Sequence, residues 1–236
     1  MRKKEEKQFP LANKENCAVY LNRIISSCEL CMDRLKNYNI EGEKLLEEYA
    51  GKDIIPYKIY AEMTDKTSNV TNYLLNLLGD AQTSSISYFK FRSQISKHPV
   101  SDVILEPLED LTQELLKDFN KMRNWQNHVP ESLLVAEMEQ VEAGKMEFLM
   151  DPVDITVYKN VAYDYFKNLI ETNISFYIAA RKLIQAAKKD YRNVYGKSVV
   201  YNRVYVDSPL DSNKSIPTKQ SAKVQGIKGN IGLNID

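Results

Sequence analysis

Between residues 105 and 122 the chain repeats one spacing. Leu105, Leu108, Leu111, Leu115, Phe119 and Met122 follow one another at intervals of three or four, which puts them on a single face of an α-helix. Asp102, Glu106, Glu109, Asp110, Glu114 and Asp118 occupy the other side, so that face is acidic and solvated. An amphipathic helix of this kind draws most of its stability from tertiary packing. Ser101-Asp102 supplies an N-cap, and Arg123 brings a cation to the C-terminal end, where the helix dipole favours it.

The same period runs through most of the chain. Residues 14–50 read as a helix with Val19, Ile24, Cys28, Cys31 and Leu35 on one stripe, Gly42 as a weak point, and Gly51 followed by Pro56 as its stop. A second helical region, 57–97, carries Tyr60, Met63, Val70, Tyr73, Leu74, Leu77 and Leu78, with a break at Gly79-Asp80 and an end at His98-Pro99. Leu133, Leu134, Met138 and Val141 mark a helix over 131–148. Tyr158, Val161, Tyr165, Leu169, Phe176, Ala180, Leu183 and Ala187 mark a last one over 154–195, closed by Gly196; unbroken, it would span about 60 Å. Only 8 glycines and 8 prolines punctuate 236 residues. The expectation is an all-α fold, a single bundle of five to six helices over 1–196, followed by a flexible, extended or disordered tail over 197–236. In that tail Val199, Tyr201, Val204, Tyr205 and Val206 form one strand-like run. Six cations (Lys197, Arg203, Lys214, Lys219, Lys223, Lys228) against three acids (Asp207, Asp211, Asp236) leave it with three net positive charges.

Several function classes find no support. Lys plus Arg equals Asp plus Glu at 32 each, which argues against a DNA-coating protein. No apolar run is long enough to span a bilayer, and the opening Met-Arg-Lys-Lys-Glu-Glu-Lys leads into no apolar stretch. No membrane association is expected, and the chain reads as cytoplasmic. Cys28 and Cys31 are spaced as a CxxC pair, but neither a second pair nor a histidine cluster completes a zinc site. There is no glycine-rich phosphate loop and no HExxH, so neither metal nor cofactor is expected.

The helix of residues 105–122 runs into Arg123-Asn124-Trp125-Gln126-Asn127-His128, which contains one of two histidines and the only tryptophan. This hexapeptide resembles the signature of the HEPN family (higher eukaryotes and prokaryotes nucleotide-binding): an arginine, four to six residues, then a histidine, with a polar residue after the arginine, at a helix end of an all-α bundle. Arg92-Ser93 and His98 fit the same spacing in a looser form. The resemblance implies metal-independent endonucleolytic cleavage of single-stranded RNA by a homodimer, in a defence or toxin setting, with Arg123, Asn124 and His128 as the catalytic set. The chemistry suits these residue types. Histidine titrates near neutrality and can move the 2′-hydroxyl proton, while arginine forks onto phosphate. On a continuous helix five residues turn through about 140°, so Arg123 and His128 converge only if the helix ends between them, as Pro130 suggests, or across a two-fold axis. The family also includes inactive members that serve as binding or dimerisation modules. A non-catalytic helical interaction module, a regulator or inhibitor of another complex, is therefore the competing reading. Lys188, Lys189, Tyr191 and Arg192, interleaving cations with an aromatic ring, are the candidate RNA-binding residues. A protein partner would be met by the long last helix or the tail.

Overall fold

The computed structural model describes residues 9–127, 131–144 and 157–199, all within one compact unit, Met1–Val199. It is an all-α bundle with a small two-stranded ribbon. In chain order the elements are α1 (Lys14–Glu48), β1 (Ile54–Pro56), α2 (Tyr57–Gly79), α3 (Tyr88–Lys97), α4 (Asp110–Asn127), α5 (Glu131–Glu142), β2 (Asn160–Ala162) and α6 (Tyr163–Tyr195). None of the described helices is long and apolar enough to cross a membrane.

The core forms where α1 lies along α6 and α2. Leu21, Ile24, Ile25, Cys28 and Leu35 of α1 meet Leu74, Leu75 and Leu78 of α2 and Ala180, Leu183 and Ala187 of α6; Tyr88 and Phe91 of α3 and Leu116 and Phe119 of α4 close the cluster. A smaller cluster, Ile55, Met63, Phe166 and Ile170, lies under the ribbon. α1 begins where the side chain of Asn13 accepts the Asn16 N–H at 2.8 Å, satisfying one orphan donor of the first turn. It runs unbroken through Gly42, where a weak point was expected. The missing Cβ there is a packing device, because a methyl at Gly42 would collide with the Ile170 side chain. Gly79 serves similarly at the end of α2: a Cβ would come within 2.5 Å of the Phe119 carbonyl oxygen, so glycine lets α2 and α4 touch backbone to backbone.

Four expectations need correction. α4 starts at Asp110, not at Ser101-Asp102. Pro107 has no N–H to donate and disfavours helical geometry in the residue before it, and Asp102 takes the left-handed conformation at φ 61° instead of capping. Residues 98–109 therefore cross the bundle without regular structure, pinned by buried Val103. Secondly, the buried face of α4 is rotated from the leucine stripe: Leu116, Phe119 and Arg123 are buried, whereas Leu111 and Met122 are exposed. Val19 of α1 is exposed as well. Thirdly, α6 starts at Tyr163, not 154. Asn160–Ala162 pairs antiparallel with Ile54–Pro56 in the register Ile55 to Val161, and β-branched residues favour that extended geometry. Lastly, the helix expected over 131–148 turns out of α5 at Ala143-Gly144, with Gly144 at φ 68°; residues 145–156 lie outside the described residues. So do the strand-like run beyond Val199 and the tail. α6 ends where expected, at Gly196 in the left-handed conformation, its N–H donating to the Arg192 carbonyl at 2.8 Å.

Cys17, Cys28 and Cys31 are free thiols inside the core. Burial raises all three pKa values, that of Cys31 from 9.0 to about 11. A group whose native pKa is raised contributes stability that is intact below its unfolded pKa and is lost as the pH rises toward the folded value. The urea midpoint will therefore fall between pH 9 and pH 11. Replacing Cys31 with alanine will flatten that fall; an unchanged slope would contradict the assignment.

Candidate functional site

Arg123 to Asn127, the first five residues of the hexapeptide, form the last turns of α4. The helix continues through Asn127, so it does not end between Arg123 and Asn127; His128 lies outside the described residues. Arg123 faces the bundle and is only 7% exposed. Each of its three nitrogens donates a hydrogen bond: Nε to Asn76 Oδ1 at 3.3 Å, Nη1 to Asn124 Oδ1 at 3.3 Å, and Nη2 to Asp80 Oδ2 at 3.1 Å. Asp80, also buried, follows α2 directly. Its Oδ1 accepts the Gln82 N–H at 2.9 Å and its carbonyl accepts the Ser87 hydroxyl. Asn120, one turn before Arg123, donates to the Gly79 carbonyl at 2.6 Å. The end of α2 and the last turns of α4 are thus stitched together at the position of the motif. Asn124 and Trp125 are exposed beside it, Trp125 to 60%.

The looser candidate pair separates. Arg92 is clamped bidentately by Asp190 of α6, Nε to Oδ2 at 2.8 Å and Nη2 to Oδ1 at 2.7 Å. The Tyr88 hydroxyl donates to the same Oδ2 at 2.7 Å, and burial together with the Asp190 charge pushes the Tyr88 phenol far above its ordinary range. His98 is an exposed residue at the C-terminal end of α3, its backbone N–H donating to the Gln94 carbonyl. Arg92 is therefore part of a buried brace between α3 and α6.

The four RNA-binding candidates share the last third of α6. Lys188 meets Glu29 of α1 at 2.6 Å and Lys189 meets Glu106 at 2.7 Å. Tyr191 is half-buried and tilts against Tyr195 with ring centroids 5.6 Å apart, and Arg192 is exposed. The hydrogen bond between Lys189 and Glu106 raises the amine's pKa and lowers the carboxyl's. Among the described residues no three histidine, cysteine or carboxylate side chains are grouped closely enough to hold a metal ion.

Sequence reasoning missed Asn76 and Asp80 as partners of Arg123, and Asp190 and Glu106 as partners of Arg92 and Lys189. The only local trace was the Gly79-Asp80 break, which signals a helix end but not the arginine 43 positions later. Comparison with protein-family models, with curated proteins and with solved structures finds no match to the chain.

Proposed function

We propose that the chain is a HEPN-like, metal-independent endoribonuclease acting on single-stranded RNA, with Arg123, Asn124 and His128 as its reactive set. The observation that carries this reading is the mounting of Arg123. An arginine that served only to cap a helix would need neither a buried carboxylate nor two asparagines, yet Arg123 is held by Asp80, Asn76 and Asn124 together. A guanidinium fixed in this way is a permanent positive charge of set orientation, the kind of group that stabilises charge developing on a phosphate. His128, the residue after Asn127 in the chain, would take the 2′-hydroxyl proton; the freed oxygen would attack the adjacent phosphorus and expel the 5′-oxygen, which takes a proton from solvent or from the protonated histidine, leaving a 2′,3′-cyclic phosphate. The role of a second protomer in completing the site, and a setting in defence, belong to the same proposal.

A specific observation favours the second reading, a non-catalytic helical interaction module. Arg123 is only 7% exposed and its nitrogens already have protein acceptors, which is what a structural arginine looks like. One experiment separates the two. Full-length protein is incubated with total RNA in EDTA. Cleavage by the wild type, falling at least about a hundredfold in His128→Ala while the thermal midpoint stays put, supports the ribonuclease. Absence of cleavage by the folded wild type, or full activity in His128→Ala, overturns it and leaves the interaction module.

A further inference from the structure

Arg181, Lys182, Lys188, Lys189 and Arg192 fall within one arc of roughly 120° on α6, opposite the buried row Ala180, Leu183, Ala187 and Val194. Between its first and last members a straight helix rises about 16 Å, a length suited to contacting several phosphates of one strand. Within this stripe Lys188 is paired with Glu29 of α1, and Lys189 is occupied by a carboxylate whose backbone the chain holds in place. The carbonyl of Glu106 accepts Arg92 Nη2 at 2.8 Å, and Arg92 is itself clamped to buried Asp190. The backbone of Glu106 is therefore fixed, while its side chain, half exposed, reaches out over Lys189 at 2.7 Å. Beside this pair opens a cleft of about 350 Å³, lined by the cations Arg92, Lys182 and Lys189 and by the carboxylates of Glu106, Glu109 and Asp190, among others.

We infer that Glu106 is an internal competitor for RNA: its carboxylate stands where a backbone phosphate of a single strand binds, and the strand engages α6 by displacing it from Lys189 and placing that phosphate in the cleft beside Lys182. This rests on the RNA-directed reading above and extends its binding surface by Glu106, Lys182 and Arg181. An ion pair so open to water exchanges partners at little cost. Arg92, occupied by Asp190, shapes the cleft without turning toward the ligand.

The test is fluorescence anisotropy of a labelled oligouridylate with the full chain over a series of salt concentrations. Glu106→Gln will tighten binding several-fold. Lys182→Ala and Lys189→Ala will weaken it, each lowering the salt slope by about one. The double variant Glu106→Gln with Lys189→Ala will bind like Lys189→Ala alone, because Glu106 acts through that amine. If the wild type binds RNA but Glu106→Gln binds no better, or Lys182→Ala binds as well as the wild type, the competitor assignment is wrong and the RNA reading stands on another surface. If neither the wild type nor Glu106→Gln binds or cleaves RNA, the RNA reading itself falls, and this inference with it.

Discussion

Asp190→Ala will cost the protein about 3–5 kcal/mol, because it strands a buried guanidinium. Asp190 is 2% exposed and holds three donor contacts: two from Arg92 and one from the Tyr88 hydroxyl. With the carboxylate gone, Arg92, whose side chain is 16% exposed, keeps only the Glu106 carbonyl and the Tyr88 hydroxyl as partners. Tyr88, which is fully buried, loses its acceptor. For a folded unit of this size each kcal/mol moves the midpoint by roughly 2–4 °C, so thermal denaturation should show a fall on the order of 10 °C. A loss of under about 1 kcal/mol, the usual size for a solvated pair, would show that the brace is not desolvated in solution.

The same cluster shows why the loss would not measure what the ion pair contributes. Most of the cost in the single variant comes from the charge left behind. Converting the whole brace to apolar side chains of similar size, with Tyr88→Phe, Arg92→Met and Asp190→Leu together, removes all three polar partners at once. That triple variant should recover more than half of what Asp190→Ala loses. If instead it is as unstable as the single variant, the brace contributes directional bonding that packing cannot replace.

How much of this could be read from the sequence depends on the range of the interaction. α1, the break at Gly79-Asp80, the end of α3 before Pro99 and the Gly196 cap are local decisions, made by periodicity, N-cap chemistry and left-handed glycine, and each was legible. The start of α4 was not read correctly. Six apolar residues at helical spacing extend as far back as Leu105, and Pro107 overrides them from inside the pattern. The ribbon of Ile54–Pro56 with Asn160–Ala162 was invisible because its strands are three residues long and about a hundred positions apart; neither shows an alternation long enough to detect. The candidate site divides along the same line. Arg123-Asn124 on the end of a helix was legible as a motif, and the cations at 188–192 as a cluster. That Arg123 points inward to Asp80 was not, because a helical wheel drawn from the leucines puts it beside exposed Met122, whereas the real buried face runs through Leu116 and Phe119. Nor does composition say which acid takes which lysine: Glu106 reaches Lys189 from a segment whose leucine spacing predicts a helix.

The bond between Asp80 and Arg123 carries the second large effect, and it decides how any activity measurement at this site is to be read. Both side chains are under a tenth exposed, 9% for Arg123 and 7% for Asp80. Asp80→Ala removes a buried carboxylate that holds the guanidinium and also unties the loop after α2, whose Gln82 N–H it accepts, so a loss of about 3–5 kcal/mol is expected. Arg123→Ala should cost a similar amount. The double variant should fall short of the sum by about 1–3 kcal/mol, the coupling expected of residues in direct contact; strict additivity in a urea-denaturation cycle would mean that the bond is not formed in solution. Loss of RNA cleavage in Arg123→Ala therefore proves nothing by itself, since unfolding alone would produce it. Asp80→Asn is the informative change, because it keeps an acceptor for Arg123 Nη2 while removing the charge. If Arg123 only braces α2 against α4, cleavage by Asp80→Asn, assayed well below its midpoint, will match the wild type. If Arg123 stabilises the phosphate, releasing it from Asp80 loosens its aim, and kcat will drop while the protein remains folded. A hydrogen bond to a charged group is worth about 1.5–3 kcal/mol, so weakening this one can lower kcat by roughly tenfold to a hundredfold.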